Sequence, residues 1–169
     1  MTMELSPPRL PAGEAERLGE ALRTAMREIA TSVAVVTAGA GRHALGATVT
    51  SVTSASLAPP ILVVSLNRQL RVSRAIRAAG AFRISFLSDR DEDVARAFSG
   101  QIPACDRFRV GDWDMDEPGG PLLRSALAGV LCRLTRAVPC GSHDLLLGLA
   151  EDVRAGAGAP LLYRRGRYE

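Results

Sequence analysis

Apolar residues recur along the chain with two different periods, and the change of period separates helices from strands. Over residues 14–30 they recur at steps of three and four, which predicts an amphipathic helix with one core-facing stripe. A second helix is predicted over residues 71–79, with arginines on its polar face and Gly80 as its C-terminal stop. A third helix is predicted over residues 88–98, because acidic residues fall in its first turn.

The other apolar segments are short and rich in β-branched residues, and turn residues separate them, which is typical of strands. Residues 101–120 interrupt this pattern with five acids, so we expect a long excursion anchored by Phe108 and Trp113. Short strands at regular intervals with few helices predict a mainly β protein with α additions, a β-barrel with peripheral helices. The predicted strands cover residues 32–37, 45–52, 61–66, 81–87, 127–138, 144–153 and 160–168.

Length and composition predict one domain that needs no covalent staple. Residues 1–13 contain three prolines and no apolar period, so we expect a flexible leader followed by a single domain over residues 14–169. The three cysteines lack metal-ligand spacing and no signal sequence is apparent, which favours a reducing cytoplasm. The apolar runs are too short to cross a bilayer, so we expect no membrane as a partner. No nucleic-acid-binding pattern occurs, so we expect no nucleic acid as a partner either.

Charge is distributed unevenly along the chain. No Asp or Glu occurs from Thr31 to Ser88, whereas six arginines fall in that segment. The same segment contains the stretch Gly46 to Pro60, which is rich in Ser and Thr. Many hydrogen-bond donors without anions suit a phosphorylated ligand, and the free amides at the start of the helix over residues 71–79 would suit its phosphate. A solvated arginine surface beside a hydroxyl-rich strand would have the same composition.

Three motifs indicate other chemistries, and each lacks the context that its chemistry needs. Gly39, Gly41 and Ala44 match a dinucleotide-binding fingerprint, but a predicted strand follows and the next acid after the motif is Asp89, so we expect a hairpin loop. Ser, His and Asp occur without a nucleophile elbow, and His143 is followed by an acid that points to the opposite face of the strand. Two histidines and three unspaced cysteines predict no metal site.

Several blocks, in this order, resemble one known family. They are TSVAVVTA, GATVTSVTSASLAPPILVVSL with Asn67 and Arg68, residues 81–87, DRF at 106–108, SHDLLLG at 142–148 and a closing PLLYRRGRY. Together they resemble the flavin reductase-like, FMN-binding split-barrel family over residues 18–168. The resemblance implies a split β-barrel that transfers hydride from NADH or NADPH to FMN or FAD and supplies reduced flavin to a partner monooxygenase. It also implies a homodimer. Such hydride transfer needs no protein acid or base, in agreement with the missing nucleophile.

The resemblance also implies where the cofactors bind. His143 is expected to position the nicotinamide nucleotide, although a structural histidine at a hairpin turn remains the alternative. Arg71 is expected near the flavin phosphate, and Phe108 at the border of the site. The backbone amides and hydroxyls expected around the flavin ring and its ribityl chain belong to Thr48, Val49, Thr50, Ser51, Ser65, Leu66 and Asn67.

The chain departs from the family pattern around the expected flavin. Leu70 and Val72 stand where Ser and Thr are common, and Thr50 and Ser85 each stand where Asn is common. Ser85 is still expected to contact the cofactor. Two lost hydroxyls near the phosphate would weaken binding by ~0.5 to 1.5 kcal/mol each, and Ser73 is expected to compensate. Two alternatives to a flavin reductase therefore stay open: a barrel that binds flavin or another small ligand without reducing it, and an enzyme that uses the cavity for biosynthetic chemistry.

Overall fold

The structure, a computed structural model, describes residues 10–169, without the side chain of Ala12. The expected leader therefore lies mostly outside the described residues, and helix α1 already begins at Ala12. Within the described range the chain forms three α-helices and twelve strands. They are α1 (Ala12–Arg27), β1 (Thr31–Ser32), β2 (Ala34–Ala38), β3 (Leu45–Val49), β4 (Val52–Leu57), β5 (Pro60–Asn67), α2 (Arg71–Ala79), β6 (Ala81–Phe86), α3 (Glu92–Arg96), β7 (Trp113–Asp114), β8 (Leu122–Leu123), β9 (Ala128–Cys140), β10 (His143–Ala155), β11 (Leu162–Arg164) and β12 (Arg167–Tyr168).

Seven of the described strands form one antiparallel sheet that must curl into a barrel. Their order is β3-β2-β6-β9-β10-β5-β4, so β3 and β4 are the two edges. A flat sheet would place these edges about 29 Å apart, since neighbouring strands are spaced by about 4.8 Å. The chain from Val49 to Val52 spans at most about 11 Å, and it joins the two edges directly. The edges therefore meet at Thr50 and Ser51, and the predicted β-barrel with peripheral helices is observed.

Two apolar clusters hold the barrel together, one inside it and one outside. Strand β2 contributes to both: Ala34, Val36 and Ala38 point into the barrel, whereas Val33, just before the strand, and Val35 point outward. Period-two alternation of this kind places successive side chains on opposite faces of a sheet. Helix α2 covers the inner cluster, and α3 with the 101–126 segment covers the outer one.

The excursion over residues 101–120 is anchored by Phe108 and Trp113 as predicted, and also by Phe98 and Arg83. The rings of Phe98, Phe108 and Trp113 contact one another with centroids 5.0 to 5.2 Å apart. Arg83, which the charge pattern groups with a ligand-facing surface, is instead 1% exposed on β6. Its Nε donates to the carbonyl of Pro118 at 2.8 Å and its Nη2 to Glu117 at 2.8 Å, so this arginine fixes the end of the excursion.

Helix α1 is amphipathic as predicted, but its apolar stripe does not face the core. Leu18, Leu22, Met26 and Ile29 are 40%, 63%, 48% and 52% exposed. The periodicity predicts which face is apolar and carries no information about what covers it. The barrel is already covered by α2 and α3, and α1 is joined to the domain at its C-terminal end, where Arg165 donates to the carboxylate of Glu28 and to the carbonyl of Arg27.

The hydroxyl-rich stretch contains a strand that the pattern did not predict. The strand predicted over residues 45–52 ends at Val49, and a new strand, β4, begins at Val52 and pairs with β5. An edge strand that is exposed on both faces needs no apolar alternation, which is why the sequence gives no strand signal there. The predicted hairpin loop over residues 39–44 is confirmed, because β2 and β3 pair antiparallel across it. Within residues 10–169, no helix is both long and apolar enough to cross a membrane.

Candidate functional site

A cavity of about 350 Å³ lies between the start of β3 and the N-terminus of α2. We call it the helix-end cavity. Its walls come from four parts of the chain that the barrel and the excursion bring together. They are Ala44–Ala47, Gln69–Val72, Phe98–Gly100 with Ala104, and Arg107 with Phe108. Two residues singled out from the sequence, Arg71 and Phe108, therefore border the same space.

The helix-end cavity is suited to an anion. Leu70 is the N-cap residue of α2 and forms no side-chain cap bond, so the first-turn amides are not capped by a side chain. These amides and the helix dipole favour negative charge at this point. Arg107 faces the cavity from the other side, held by donation from Nη1 to the carbonyl of Gly46 at 3.3 Å and from Nε to that of Ile102 at 3.4 Å. No carboxylate of the described residues lines the cavity.

A second cavity, of about 590 Å³, lies between α1 and the β11–β12 hairpin. We call it the arginine cavity, because Arg23, Arg27, Arg164 and Arg165 line it together with apolar atoms of α1. Its wall also includes Thr50 and Ser51, the two residues at which the sheet edges meet. A hydrogen bond from Arg165 lowers the pKa of Glu28 nearby, so that carboxylate stays ionised. The two cavities thus flank opposite ends of β3.

Other predicted site residues meet at one end of the barrel. The Ser51 hydroxyl donates to the carbonyl of Ser65 at 2.8 Å, and the Ser65 amide donates back to the carbonyl of Ser51 at 3.3 Å. Asn67 lies opposite His143 across the β5–β10 pairing, and its Oδ1 accepts from the Gln69 amide at 2.9 Å. His143 Nδ1 lies 2.8 Å from the hydroxyl of Ser142. Hydrogen bonds and strand pairing therefore connect Ser51 to Ser65 and Asn67 to His143 along β5.

Strand β3 offers backbone groups rather than side chains to a ligand. Within the described residues β3 pairs with β2 alone, so its other side is an open sheet edge. The Thr48 hydroxyl already donates to the carbonyl of Ala95 at 2.7 Å. The side chains of Val49 and Leu66 are 8% and 1% exposed and pack in the barrel. A flavin role for Thr48, Val49 and Leu66 accordingly remains a prediction about their backbone.

The structure buries the side chains of two predicted cofactor contacts, and a cofactor role for them stays a prediction. Ser73 and Ser85 are both 0% exposed, and neither lines a described cavity. Ser73 lies on the face of α2 that Val72 and Ile76 bury, so its hydroxyl is not exposed at the helix start. Ser85 is on the interior strand β6, where its hydroxyl accepts from the Leu123 amide at 3.3 Å. Polar type alone does not reveal which face of an element a residue occupies.

The structure adds residues that the sequence did not indicate. Arg107 faces the helix-end cavity beside the predicted Phe108, and its position inside the DRF block was the available signal. Asp144 is 1% exposed and forms ion pairs with Arg68 at 3.1 Å and Arg77 at 2.8 Å. These partners are 76 and 67 residues away in the chain, so no local pattern could have predicted the pairing.

Comparison with protein families gives one match that covers most of the chain. A family described as flavin reductase like domain matches residues 26–169. The chain is 35% identical over 147 residues to the FMN reductase (NADH) RutF of Agrobacterium fabrum, which covers 86% of this chain and 84% of that protein. It is 34% identical over 157 residues to the reductase component of an FADH(2)-dependent resorcinol hydroxylase from a Rhizobium species, covering 90% and 87% of the two chains.

The same similarity holds in three dimensions. The NADH:FAD oxidoreductase SgcE6 of Streptomyces globisporus, solved in complex with NAD and FAD fragments, superposes with a TM-score of 0.82. That superposition has 29% sequence identity and covers 95% of each chain. The split-barrel fold implied by the sequence resemblance is thereby confirmed.

Proposed function

We propose, from the premise that this chain belongs to the flavin reductase like domain family, that it is an NAD(P)H:flavin oxidoreductase. It transfers hydride from a nicotinamide nucleotide to FMN or FAD and supplies the reduced flavin to a flavin-dependent oxygenase. The observation that carries this proposal is the helix-end cavity. At this cavity the uncapped amides of α2, the side chains of Arg71 and Arg107 and an aromatic wall lie beside the open edge of β3.

The residues of this chain would bind the flavin at two places. The α2 amides, Arg71 and Arg107 hold its phosphate, because charge-assisted hydrogen bonds to a phosphate are stronger than neutral ones. The backbone from Thr48 to Ser51 follows the ring and the ribityl chain, supported by the bonds between Ser51 and Ser65. When bound, the flavin supplies the hydride-accepting ring, and the nicotinamide supplies the hydride.

His143 has the role of positioning the nicotinamide nucleotide. It stands beside Asn67 at the end of the barrel that carries Ser51 and Ser65. Orientation of the two rings is the main contribution a protein can make to this reaction, because no protein group exchanges a proton in the hydride step. The arginine cavity adds positive charge at the junction of the sheet edges, which favours the approach of anionic nucleotides.

The exposed apolar stripe of α1 supports a homodimer. Leu18, Leu22 and Met26 lie on one face of α1, the exposed Ile29 follows just after the helix end, and Leu57 at the tip of the β4–β5 hairpin is 85% exposed. Exposed large apolar side chains in a row along a helix are typical of an interaction site. A second copy of the chain is the occupant we propose, since edge strand β4 and the α1 stripe are present in both copies and can cover each other symmetrically.

Oligomeric state is tested by sedimentation of the purified protein and of Leu22→Glu. The wild type is expected to sediment as a dimer and Leu22→Glu as a monomer, because the new charge would be buried at the interface. Glu16→Arg, on the opposite face of α1, changes the charge by a larger step and should leave the dimer intact. A monomeric wild type, or a Leu22→Glu variant that is still dimeric, would exclude this surface as the interface.

The proposal also includes a cytoplasmic location and a flavin-dependent monooxygenase as partner. The three cysteines are free, which suits a reducing compartment. The partner is supported by the resorcinol hydroxylase component among the relatives.

The function is tested by following nicotinamide absorbance under air. NADH or NADPH is supplied in turn with FMN, FAD or riboflavin, and a heated sample serves as the control. Rapid oxidation that requires both protein and flavin is expected, and Ser51→Val and His143→Ala should each lower it without unfolding the protein. Tight flavin binding without oxidation would indicate a binding protein instead. Absence of both binding and oxidation would indicate a barrel used for other chemistry.

A further inference from the structure

Asp144 is a buried carboxylate in the strand that carries His143. Its side chain is 1% exposed, and its two oxygens accept from Arg68 Nε at 3.1 Å and from Arg77 Nη1 at 2.8 Å. Arg68 lies in the loop between β5 and α2, and Arg77 lies on α2 itself. A single buried charge therefore joins the start of β10 to the segment that forms the helix-end cavity.

Arg68 extends this connection to the whole turn before β10. Its Nη2 donates to the carbonyls of Gly141 at 3.1 Å and His143 at 3.2 Å, and its backbone amide donates to the carbonyl of Ser142 at 3.1 Å. The carbonyls of Gly141, Ser142 and His143 thus all accept hydrogen bonds from Arg68. The turn cannot shift relative to the β5–α2 loop without breaking these bonds.

Stability alone does not explain a buried carboxyl group at this place. Strand β10 pairs with β5 and β9 on its two sides, so its backbone bonds do not depend on the side chain at residue 144. Burying a carboxylate is costly, and well-packed apolar residues commonly stabilise such a position as well or better. What the carboxylate adds is direction, because its two oxygens fix two guanidinium groups in a set geometry.

We propose that Asp144 is a positioning residue, which acts with Arg68 and Arg77 to hold the His143 side chain in register with the flavin phosphate end of the site. This inference rests on the proposed function, since it assumes that His143 positions the nicotinamide nucleotide. Asp144 itself does not touch the reactants. It keeps the turn that bears His143 fixed to α2, so that the nicotinamide and the flavin are presented at a constant distance.

The inference is tested with a double-mutant cycle between Asp144→Asn and His143→Ala, read out as KM for the nicotinamide nucleotide at saturating flavin. Each single variant is expected to raise KM about tenfold, the loss typical of one well-placed hydrogen bond. The KM of the double variant should be no higher than that of His143→Ala, because a residue that acts through His143 has no effect once the imidazole is absent. The apparent affinity for flavin should change much less than KM for the nicotinamide nucleotide.

Two further variants separate positioning from folding. Arg77→Met removes the partner on α2, leaves the Arg68 pair in place and should give a smaller rise in KM that is again absent in the His143→Ala background. Glu151 lies on β10, the strand that carries His143, and forms an exposed ion pair with Arg133 of β9. Breaking that pair with Glu151→Gln should leave KM unchanged.

The possible results distinguish the inference from the proposed function. Wild-type KM in both Asp144→Asn and Arg77→Met, or effects that add to that of His143→Ala, would refute the positioning role while leaving the reductase function intact. A His143→Ala variant with unchanged KM would refute both the histidine's role and this inference. A wild-type protein that oxidises no nicotinamide with any flavin would refute the function itself.

Discussion

The substitution Leu70→Asp tests directly whether the flavin phosphate binds at the N-terminus of α2. Leu70 has the backbone angles of an N-cap residue, and its side chain is 40% exposed and makes no cap bond. An aspartate there can accept a hydrogen bond from a first-turn amide, which stabilises helices by about 1 kcal/mol. For a chain of this length that gain corresponds to a rise in Tm of about 2–4 °C.

The same carboxylate should weaken the binding of a phosphorylated flavin. Two unit charges about 6 Å apart repel by about 3 kcal/mol at an effective dielectric constant of about 20. Because residue 70 is partly exposed, solvent and salt reduce this penalty to about 1–2 kcal/mol. The affinity for FMN is then expected to fall about 5- to 30-fold. Riboflavin has no phosphate, so its affinity should change little.

The assay is a titration of flavin fluorescence with wild type, Leu70→Asp and Leu70→Asn. Asparagine caps the helix without adding charge, so it should raise Tm similarly and cost much less FMN affinity. Equal losses for Asp and Asn, or equal losses for FMN and riboflavin, would refute a phosphate site at this helix end. An unchanged Tm in both variants would show that the first-turn amides are already bound by another group.

Two further predictions concern reactivity and stability. Burial raises the pKa of Cys132 to about 12, which lowers its thiolate fraction at neutral pH about a thousandfold. A thiol reagent should therefore titrate only the exposed Cys105 and Cys140 in the folded protein, and all three thiols after unfolding. Arg83→Met should lower the free energy of unfolding by about 2–4 kcal/mol, because it removes the buried bonds to the 101–120 excursion. Arg133→Met, which loses only an exposed ion pair, should cost less than about 1 kcal/mol by thermal denaturation.

The parts of the fold that could be predicted are those with a local physical cause. Helix α2 begins and ends at the predicted residues. Its end is set by Gly80, which adopts a φ of 71° that a residue with a side chain disfavours. Strand β5 was predicted from a short apolar segment, and Val64 and Leu66 are its fully buried residues. Both signals lie within the element itself, so no knowledge of the rest of the molecule was needed.

The parts that could not be predicted depend on partners that are distant in sequence. The stripe of α1 has a clear period, yet whether it faces the core or a second subunit depends on surfaces formed elsewhere. Strand β4 has no apolar alternation, because an exposed edge imposes none. Asp144 joins two arginines more than sixty residues away, and neither end of that link contains a sign of the other.

In the candidate site, several of the predicted hydroxyls are not exposed to a ligand. Ser73 and Ser85 are buried and the Thr48 hydroxyl is engaged, so counting Ser and Thr overestimates what the side chains offer. The same counting overestimates what Leu70 and Val72 cost. Two missing neutral bonds are worth ~1 to 3 kcal/mol together, whereas bonds to charged groups such as Arg71 and Arg107 contribute about 1.5–3 kcal/mol each. Because uncapped amides and two arginines remain at the helix end, the balance favours a barrel that still binds flavin.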